Sequence, residues 1–503
     1  MKRKISIKHM IGYASINFLG SGSQKLVQLY LTIFYTQLCD LSIVQAGFIF
    51  TVTRFLDAIL NPVMGFVSDN FGRTKLGKRF GRRKFFVLIG APLSLIVYPM
   101  LWSVGHSFAY YFIMNMIWEM VFTMIIVSAI ALPAEMAQTA VDKTKLVAAK
   151  SYCGTLAQTI AAAVPAYLFG MYGENNPTSF LLTGIVYGAV LAVSLLVVYA
   201  FTFERDPKDI VYGEEIHGVG HVIKKLGLDI SSSVKVKSFR LHTIMMLTIG
   251  VYKNLAATVF TYYVLYCLSL TKEATGYISA FSTLITFGAL TVFIGLAYKY
   301  GGPKTFRMSS TLVMIGCVGS FGLMFMKGSN LLIPALVIVQ LFNEIGKGGV
   351  DYIPVFQLPF MADIDEAVTG TRREGILSGV NGAMSKVSYG IEQLLLTVVL
   401  AAVGFVKGTG EQPQSAVIGI GFMAIGVPLI LLGITWVVSI KLKLTKENHK
   451  ILVDEVNRVK AGGAKSEVTP EAKIAIEELT GFAYENCFGN NNVLYNSKKT
   501  VNA

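Results

Sequence analysis

Residues 54–84 read RFLDAILNPVMGFVSDNFGRTKLGKRFGRRK. The stretch opens with Arg54 and Asp57 embedded in apolar sequence and closes with seven Lys or Arg between Arg73 and Lys84. A charge at the bilayer centre costs about 3 kcal/mol on insertion scales, so it is kept only where it faces protein or water. Basic clusters beside an apolar span mark the side that stays in the cytoplasm. This one stretch therefore predicts a membrane helix with a charged inner face, followed by a cytoplasmic loop.

The rest of the chain agrees. Of 503 residues 53% are apolar and 15% charged, and the mean hydropathy is +0.57, which excludes an ordinary soluble protein. A spanning helix needs about 20 mainly apolar residues. Twelve such stretches are centred near residues 25, 55, 94, 120, 160, 190, 253, 287, 316, 343, 390 and 428. The start, MKRKISIKHMIGY, is basic but runs into a full span with no small-residue cleavage site, so no cleavable signal peptide is expected. Lys2, Arg3, Lys4 and Lys8 precede the first span, and Lys and Arg crowd the segments after the second, sixth, eighth and tenth. The alternate loops contain only Lys272, Lys327 and Lys407. This pattern predicts a multi-pass protein of the cytoplasmic membrane with both termini in the cytoplasm, and it accounts for the net charge of +14 without a nucleic-acid partner.

Catalytic signatures are missing. No GxSxG, HExxH or GxxxxGK[ST] occurs, so neither an enzyme nor an ATP-driven pump is expected. Cys39, Cys153, Cys267, Cys317 and Cys487 lack metal-ligand or CxxC spacing and read as packing residues or free thiols. No cofactor is expected.

The sequence also weakly repeats. GFVSDNFGRTK from Gly65 recurs as GLAYKYGGPKT from Gly295, LPAEMAQTAVDKTK from Leu132 as LPFMADIDEAVTGTRR from Leu358, and Lys25 is matched by Lys253. The offsets are 230, 226 and 228 residues. The expected architecture is an all-α membrane protein of twelve transmembrane helices in two pseudo-symmetric six-helix bundles. Residues 1–205 and 238–445 would form the bundles, 206–237 a cytoplasmic linker and 446–503 a cytoplasmic tail. Two such bundles rock around a site near the midplane.

The loop between spans two and three, with its Gly-x-x-x-Asp-x-x-Gly-Arg-like pattern, resembles the major facilitator superfamily. More narrowly, RFLDAILNPVMG, GKRFGRRK and LPFMADIDEAVTGTRREG resemble the glycoside–pentoside–hexuronide:cation symporters, relatives of the melibiose carrier, over residues 8–443. The resemblance implies a cation site formed by two aspartates one turn apart on the second span. The first matches Asp57, but the second position is Asn61. A candidate sodium site at Asp57 and Asn61 thus loses a charge while keeping an amide carbonyl, which favours proton over sodium coupling. Lys386 matches a family lysine that reaches toward those aspartates. The acidic residues with which the melibiose branch contacts its galactoside fall here on Ser21 and Ile125, so a plain α-galactoside is not expected.

Individual residues admit two roles each. Arg54, Asp57 and Asn61 share one helical face. Glu119, in a stripe with Asn115 and Thr123, either replaces the missing carboxylate or pairs with Lys25. Lys386 either exchanges with the cation at Asp57 or forms a permanent pair. Glu344, Lys347 and Asp351 can neutralise one another on span ten. The stripes containing Gln158, Asn381 and Glu392 either bind sugar hydroxyls or hold helices together. Tyr252, Lys253 and Asn254 on span seven are sugar-binding candidates with Lys25 and Arg54, and the interior lysines favour a sugar acid. As gating residues, Asp69 is expected to accept from a helix end or from arginines of its own loop such as Arg73, and Asp363, Asp365, Arg372 and Arg373 to form similar latches between the halves. The tail, with Thr469 as N-cap of VTPEAKIAIEELTGF, reads as a solvated appendage more readily than as a segment that docks on the cytoplasmic face or binds a regulator.

The expected function is cation-coupled symport of a sugar, glycoside or hexuronide by a monomer in the bilayer, driven by protons or sodium. The alternatives are a carrier of a non-sugar solute on the same fold and a non-transporting sensor that signals through its tail.

Overall fold

A computed structural model describes residues 5–136, 140–204, 227–228, 230–370, 373–406, 411–491 and 493. Twelve long helical segments cover each predicted span. They are α1 (residues 7–37), α2 (Ile43–Asn70), α3 (Lys84–Met100), α4 (Phe108–Ile130), α5 (Ala140–Tyr172), α6 (Pro177–Phe201), α7 (Lys237–Cys267), α8 (Lys272–Tyr300), α9 (Gly302–Leu323), α10 (Leu332–Thr369), α11 (Glu374–Ala402) and α12 (Gln414–Lys441). Seven of them, α4 to α9 and α12, are long and apolar enough to cross a membrane by length and composition alone. Among the others, α2, α10 and α11 carry the mid-span charges Arg54, Asp57, Glu344, Lys347, Lys386 and Glu392.

The buried apolar side chains form two clusters. One draws on residues from Tyr13 to Val198 with Ala280 added, the other on residues from Val236 to Val493 with Ile33 and Ile43 added. The two halves meet along α5 with α8, α2 with α11, and α1 with α7. Helix starts follow ordinary capping: Ser42 accepts from Gln45 N, and Thr271 from Ala274 N. Because lipid offers apolar contact everywhere, close helix approach depends on small residues. In α10, a methyl group at Gly346 would lie 2.6 Å from Ser309 O of α9, and one at Gly348 3.0 Å from Leu290 N of α8. These glycines bring the charged face of α10 against its neighbours.

Two π-helical turns, Phe18–Ser23 and Val27–Leu31, interrupt α1 on either side of Gln24–Leu26. A π turn leaves main-chain carbonyls without their usual partner, and such turns recur at functional sites. Here Tyr187 Oη donates to Phe18 O at 3.1 Å, and Thr261 Oγ1 of α7 donates to Leu29 O at 2.7 Å. The second bond crosses between the halves.

The halves are locked together at the end away from the basic loops. Lys272 N donates to Glu174 Oε2 at 2.6 Å, and its ammonium reaches Glu174 O and Asn175 Oδ1, both at 2.9 Å. Gln37 Nε2 donates to Tyr266 Oη at 2.5 Å beside it. At the basic end, the ion pairs of Arg82 and Arg83 with Glu135, and of Arg373 with Asp365, each join parts of one half.

The tail corrects an expectation. Its helices α13 (Lys446–Lys460) and α14 (Pro470–Thr480) are docked on the second half rather than solvated. Leu452, Val456, Ile476 and Leu479 are buried within that half's core. Lys460 Nζ lies 2.5 Å from Glu366 Oε1, and Phe488 N and Gly489 N donate to Ala367 O and Val368 O at the end of α10. Ser238 Oγ donates to Leu479 O, so α14 also covers the start of α7. Thr469 caps α14 by accepting from Ala472 N, as its sequence predicts.

Candidate functional site

The site forms where α1, α2, α4, α7, α10 and α11 bring their charged faces together. Asp57 is fully buried at mid-length of α2. Its Oδ1 accepts from Asn61 Nδ2 and Thr123 Oγ1, both at 2.6 Å, and its Oδ2 accepts from the Lys386 ammonium of α11. This ion pair crosses between the halves. The i, i+4 spacing on α2 places Asn61 one turn below Asp57, and Thr123 arrives because α4 packs along α2.

Glu119 departs from expectation. Its Oε1 pairs with Arg54 Nη1 at 3.0 Å, not with Lys25. Arg54 also donates to Gln24 Oε1 at 2.9 Å and lies 4.8 Å from the centre of the Tyr389 ring on α11. Two cations, Arg54 and Lys386, thereby balance two carboxylates, Glu119 and Asp57. A third carboxyl, Glu392, is 1% exposed one and a half turns further along α11. Its Oε2 accepts from Gln393 Nε2 at 3.1 Å, while its Oε1 has no hydrogen-bond partner among the described residues.

Beside these charges lies a cavity of about 340 Å³, lined from the first half by Gln24, Lys25, Gln28, Thr155 and Gln158. From the second half come Lys253, Asn254, Thr286, Lys347, Asp351 and Tyr389. Its lining combines amides, hydroxyls, charged groups and the aromatic rings of Phe287 and Tyr389, able to offer hydrogen bonds at the edge of a bound molecule and a flat surface for C–H groups. A side chamber of about 100 Å³ extends into the second half, where Lys25 and Lys253 are joined by Tyr252, Ser282, Asn343 and Glu344. Lys253 Nζ is 3.1 Å from Asp351 Oδ1, and Lys347 Nζ is 3.6 Å from Glu344 Oε2.

Most predicted residues therefore converge. Asp57, Asn61 and Lys386 touch, and Glu119 pairs with Arg54; Lys25, Gln158, Lys253 and Asn254 line the main cavity, and Tyr252 the side chamber. Arg54 and Asn381 line neither chamber. The expected latches between halves differ. Arg373 donates to both oxygens of Asp365, at 2.8 and 2.5 Å, and Asp363 accepts from His449 of the tail at 2.8 Å, so both bonds stay within the second half and its tail. Arg73 ends an exposed turn after α2. The side chain of Asp69, and Arg372 entirely, lie outside the described residues. Sequence reasoning missed Gln24 and Gln28, which the stripe Ser21, Gln24, Gln28 on α1 signals, and Tyr389, one turn past Lys386.

No group of three or more His, Cys, Asp or Glu among the described residues is placed to hold a metal ion. A sodium ion carried as cargo would find one carboxylate, one amide and one hydroxyl at Asp57, Asn61 and Thr123. Two of these now donate to the third.

Comparison with known proteins places this geometry. The chain is 21% identical to the isoprimeverose transporter of Lactiplantibacillus pentosus, over 90% of this chain and 92% of that one. It is 22% identical to the glucuronide carrier protein homolog of Escherichia coli (strain K12), over 92% and 97% of the two chains. Its fold matches the crystal structure of a bacterial homolog of the human lysosomal transporter Spinster, with a TM-score of 0.60 at 9% identity, covering 87% of this chain and 98% of that one. The model of the MFS/sugar transport protein family matches residues 12–446. A multi-pass helical protein with a polar cavity between two halves, the chain belongs to the MFS/sugar transport protein family and is a membrane transporter, not an enzyme.

Proposed function

We propose that this transporter is a cation-coupled symporter of a sugar, glycoside or sugar acid, working as a monomer in the cytoplasmic membrane with its basic end and both termini in the cytoplasm. Residues 1–205 and 238–445 are the two bodies that rock, 206–237 tethers them, and 446–503 moves with the second. The observation that carries the reading is the ion pair between Asp57 and Lys386, which joins α2 of the first half to α11 of the second.

The mechanism follows from charge. An ammonium that fills a buried carboxylate site must leave when another cation binds there, because one carboxylate cannot neutralise both. Cation binding therefore frees Lys386 and loosens the contact between α2 and α11. The energy that moves the equilibrium is the difference in cation affinity between the two conformations. The closed latch of Lys272 at the end away from the basic loops supports a conformation open toward the cytoplasm.

A proton suits the site better than sodium. Asn61 and Thr123 both donate to Asp57, so a sodium ion needs both to turn away, whereas a proton needs no ligand shell. Glu392 Oε1 offers a second buried position to which a proton adds without further ligands. In proteoliposomes, an imposed proton gradient should drive uptake of a cognate sugar above equilibrium in the wild type. Asp57→Asn should abolish accumulation, and accumulation at wild-type rates in that variant overturns the assignment.

A further inference from the structure

We propose that a cavity at the basic end of the second half, enclosed by α8, α9, α10 and the first turn of the tail, holds the phosphate headgroup of an anionic phospholipid. It shares no lining residue with the chambers between the halves, and the inference does not depend on what is transported.

The cavity, of about 270 Å³, lies where spans end: α8 stops at Tyr300, α9 begins at Gly302 and α12 stops at Lys441. One wall is aromatic. Phe356 of α10 stands 6.0 Å from Tyr298 of α8 and 5.2 Å from Phe360, measured between ring centres. Gly302, Gln357 and Lys446 supply the polar side. Pockets that enclose a whole drug-sized ligand run to about 300–1,000 Å³, so this one takes part of a larger molecule and leaves the rest outside. Tyr298 is 63% exposed, which leaves the aromatic side open.

Gln357 shows that a partner is missing. It is fully buried, and neither amide atom has a hydrogen-bond partner among the described residues, although the amide adjoins the imidazole of His242. A buried amide left unpaired is destabilising, so a native one calls for a ligand. Its Nε2 packs on Gly302, where an added methyl group would lie 2.6 Å from it. Gly302 opens α9, whose start has no side-chain cap. The amide and the main-chain N–H groups of that turn therefore offer donors side by side, which suits an anion.

Charge selects the source of that anion. Lys299 and Lys304 flank the turn from α8 to α9, Lys441 and Lys443 lead into the tail, and Lys446 lines the cavity. None of the five forms an ion pair among the described residues. Of the carboxylates nearby, Asp363 is taken by His449 at 2.8 Å, and Glu447 is held at the N-cap of its own helix. Lysines clustered at the ends of spans attract anionic lipid headgroups. A soluble phosphate would satisfy the donors and leave the aromatic wall bare, whereas a phospholipid covers both. The lipid also ties the α8–α9 turn to the first turn of the tail.

The test is native mass spectrometry of the purified full-length protein in detergent, with phosphatidylglycerol, phosphatidylcholine and glycerol 3-phosphate as probes. The wild type should bind one phosphatidylglycerol about 30-fold more tightly than phosphatidylcholine, and glycerol 3-phosphate more weakly than the lipid. Lys304→Gln with Lys446→Gln should cut the lipid preference about 10- to 30-fold, the share of two lysines near an anionic surface. Gln357→Leu should cut it about tenfold, yet melt no lower in lipid-free detergent, because an apolar side chain replaces an unpaired amide. Lys75→Gln with Lys78→Gln removes the same charge from the exposed loop after α2 and should leave the preference unchanged. A ratio of affinities is insensitive to the folded fraction of a variant. Equal binding of the two lipids, equal losses in the two lysine pairs, or a preference untouched by Gln357→Leu overturns the site. Glycerol 3-phosphate binding as tightly as phosphatidylglycerol overturns the lipid as its occupant.

Discussion

Replacing either member of the Asp57–Lys386 pair removes the same contact, yet the structure predicts unequal costs. The Lys386 side chain is 30% exposed and that of Asp57 is not exposed at all. In Asp57→Asn the lysine can turn to the cavity and be solvated, and the new amide can still accept from Thr123. This change should cost about 1 kcal/mol, the scale of one net hydrogen bond. In Lys386→Met the carboxylate stays fully buried with two neutral donors, Asn61 and Thr123. Stranding a buried charge costs about 3–5 kcal/mol, and the lower end applies because the Lys386 side of the pair is partly exposed. Adding Asp57→Asn to Lys386→Met removes the stranded charge and should recover about 2 kcal/mol, the difference between those figures. The assay is a double-mutant cycle on unfolding in mixed micelles, with counterflow and accumulation measured on the same variants. Accumulation should be absent from all three. If Asp57→Asn proves the more damaging single change, or the double variant no more stable than Lys386→Met, the pairing argument is wrong.

Other contacts yield simpler tests. Glu119→Gln should destabilise the protein by about 3 kcal/mol, because it leaves the Arg54 guanidinium in the interior without a carboxylate. Denaturation of the variant would show it, and a silent change would remove Glu119 from the charge count. Lys272→Ala should shift the two halves toward opening at the latched end, seen as a longer distance between spin labels placed across it, whereas unchanged distances would make the latch incidental. Removing residues 446–503 should lower the folded yield, since it uncovers the sites of Leu452, Val456, Ile476 and Leu479, each worth about 1.5–3 kcal/mol when fully buried. Wild-type yield and stability would restore the tail to an appendage. Within the tail, hydrogen bonds from Arg458 hold the Glu455 carboxyl below the usual carboxylate range. A depressed carboxyl contributes stability above its unfolded pKa, about 4.3, and loses it as pH falls through the folded value. Proteolysis of the tail should therefore rise below about pH 4, and Glu455→Gln should flatten that rise.

Much of this was legible because a membrane makes polar residues conspicuous. Asp57, Asn61 and Lys386 stand out in apolar helices, and the three meet. The repeat and the alternation of basic loops likewise locate every helix. What could not be read was which charge faces which. Lys25 was the expected partner for Glu119, whereas Arg54 holds it, and two π turns flank the Gln24–Leu26 segment that carries Lys25. Nothing in periodicity reveals an extra residue per turn, although FLGSGS, with its small residues, marks where it happens. The tail misled for a related reason: its apolar stripe is short and looks self-contained until the end of α10 supplies carbonyls for it to cap.

In the proposed mechanism Asp57 alternates between Lys386 and a transported cation. Sugar-evoked current in proteoliposomes, with pH and sodium varied independently, tests it most directly. With a neutral sugar, an inward positive current should follow the proton gradient, be indifferent to sodium, and vanish in Asp57→Asn while sugar counterflow persists. A sodium-dependent current would place a metal ion at Asp57, Asn61 and Thr123, and a current unchanged in Asp57→Asn would contradict the account.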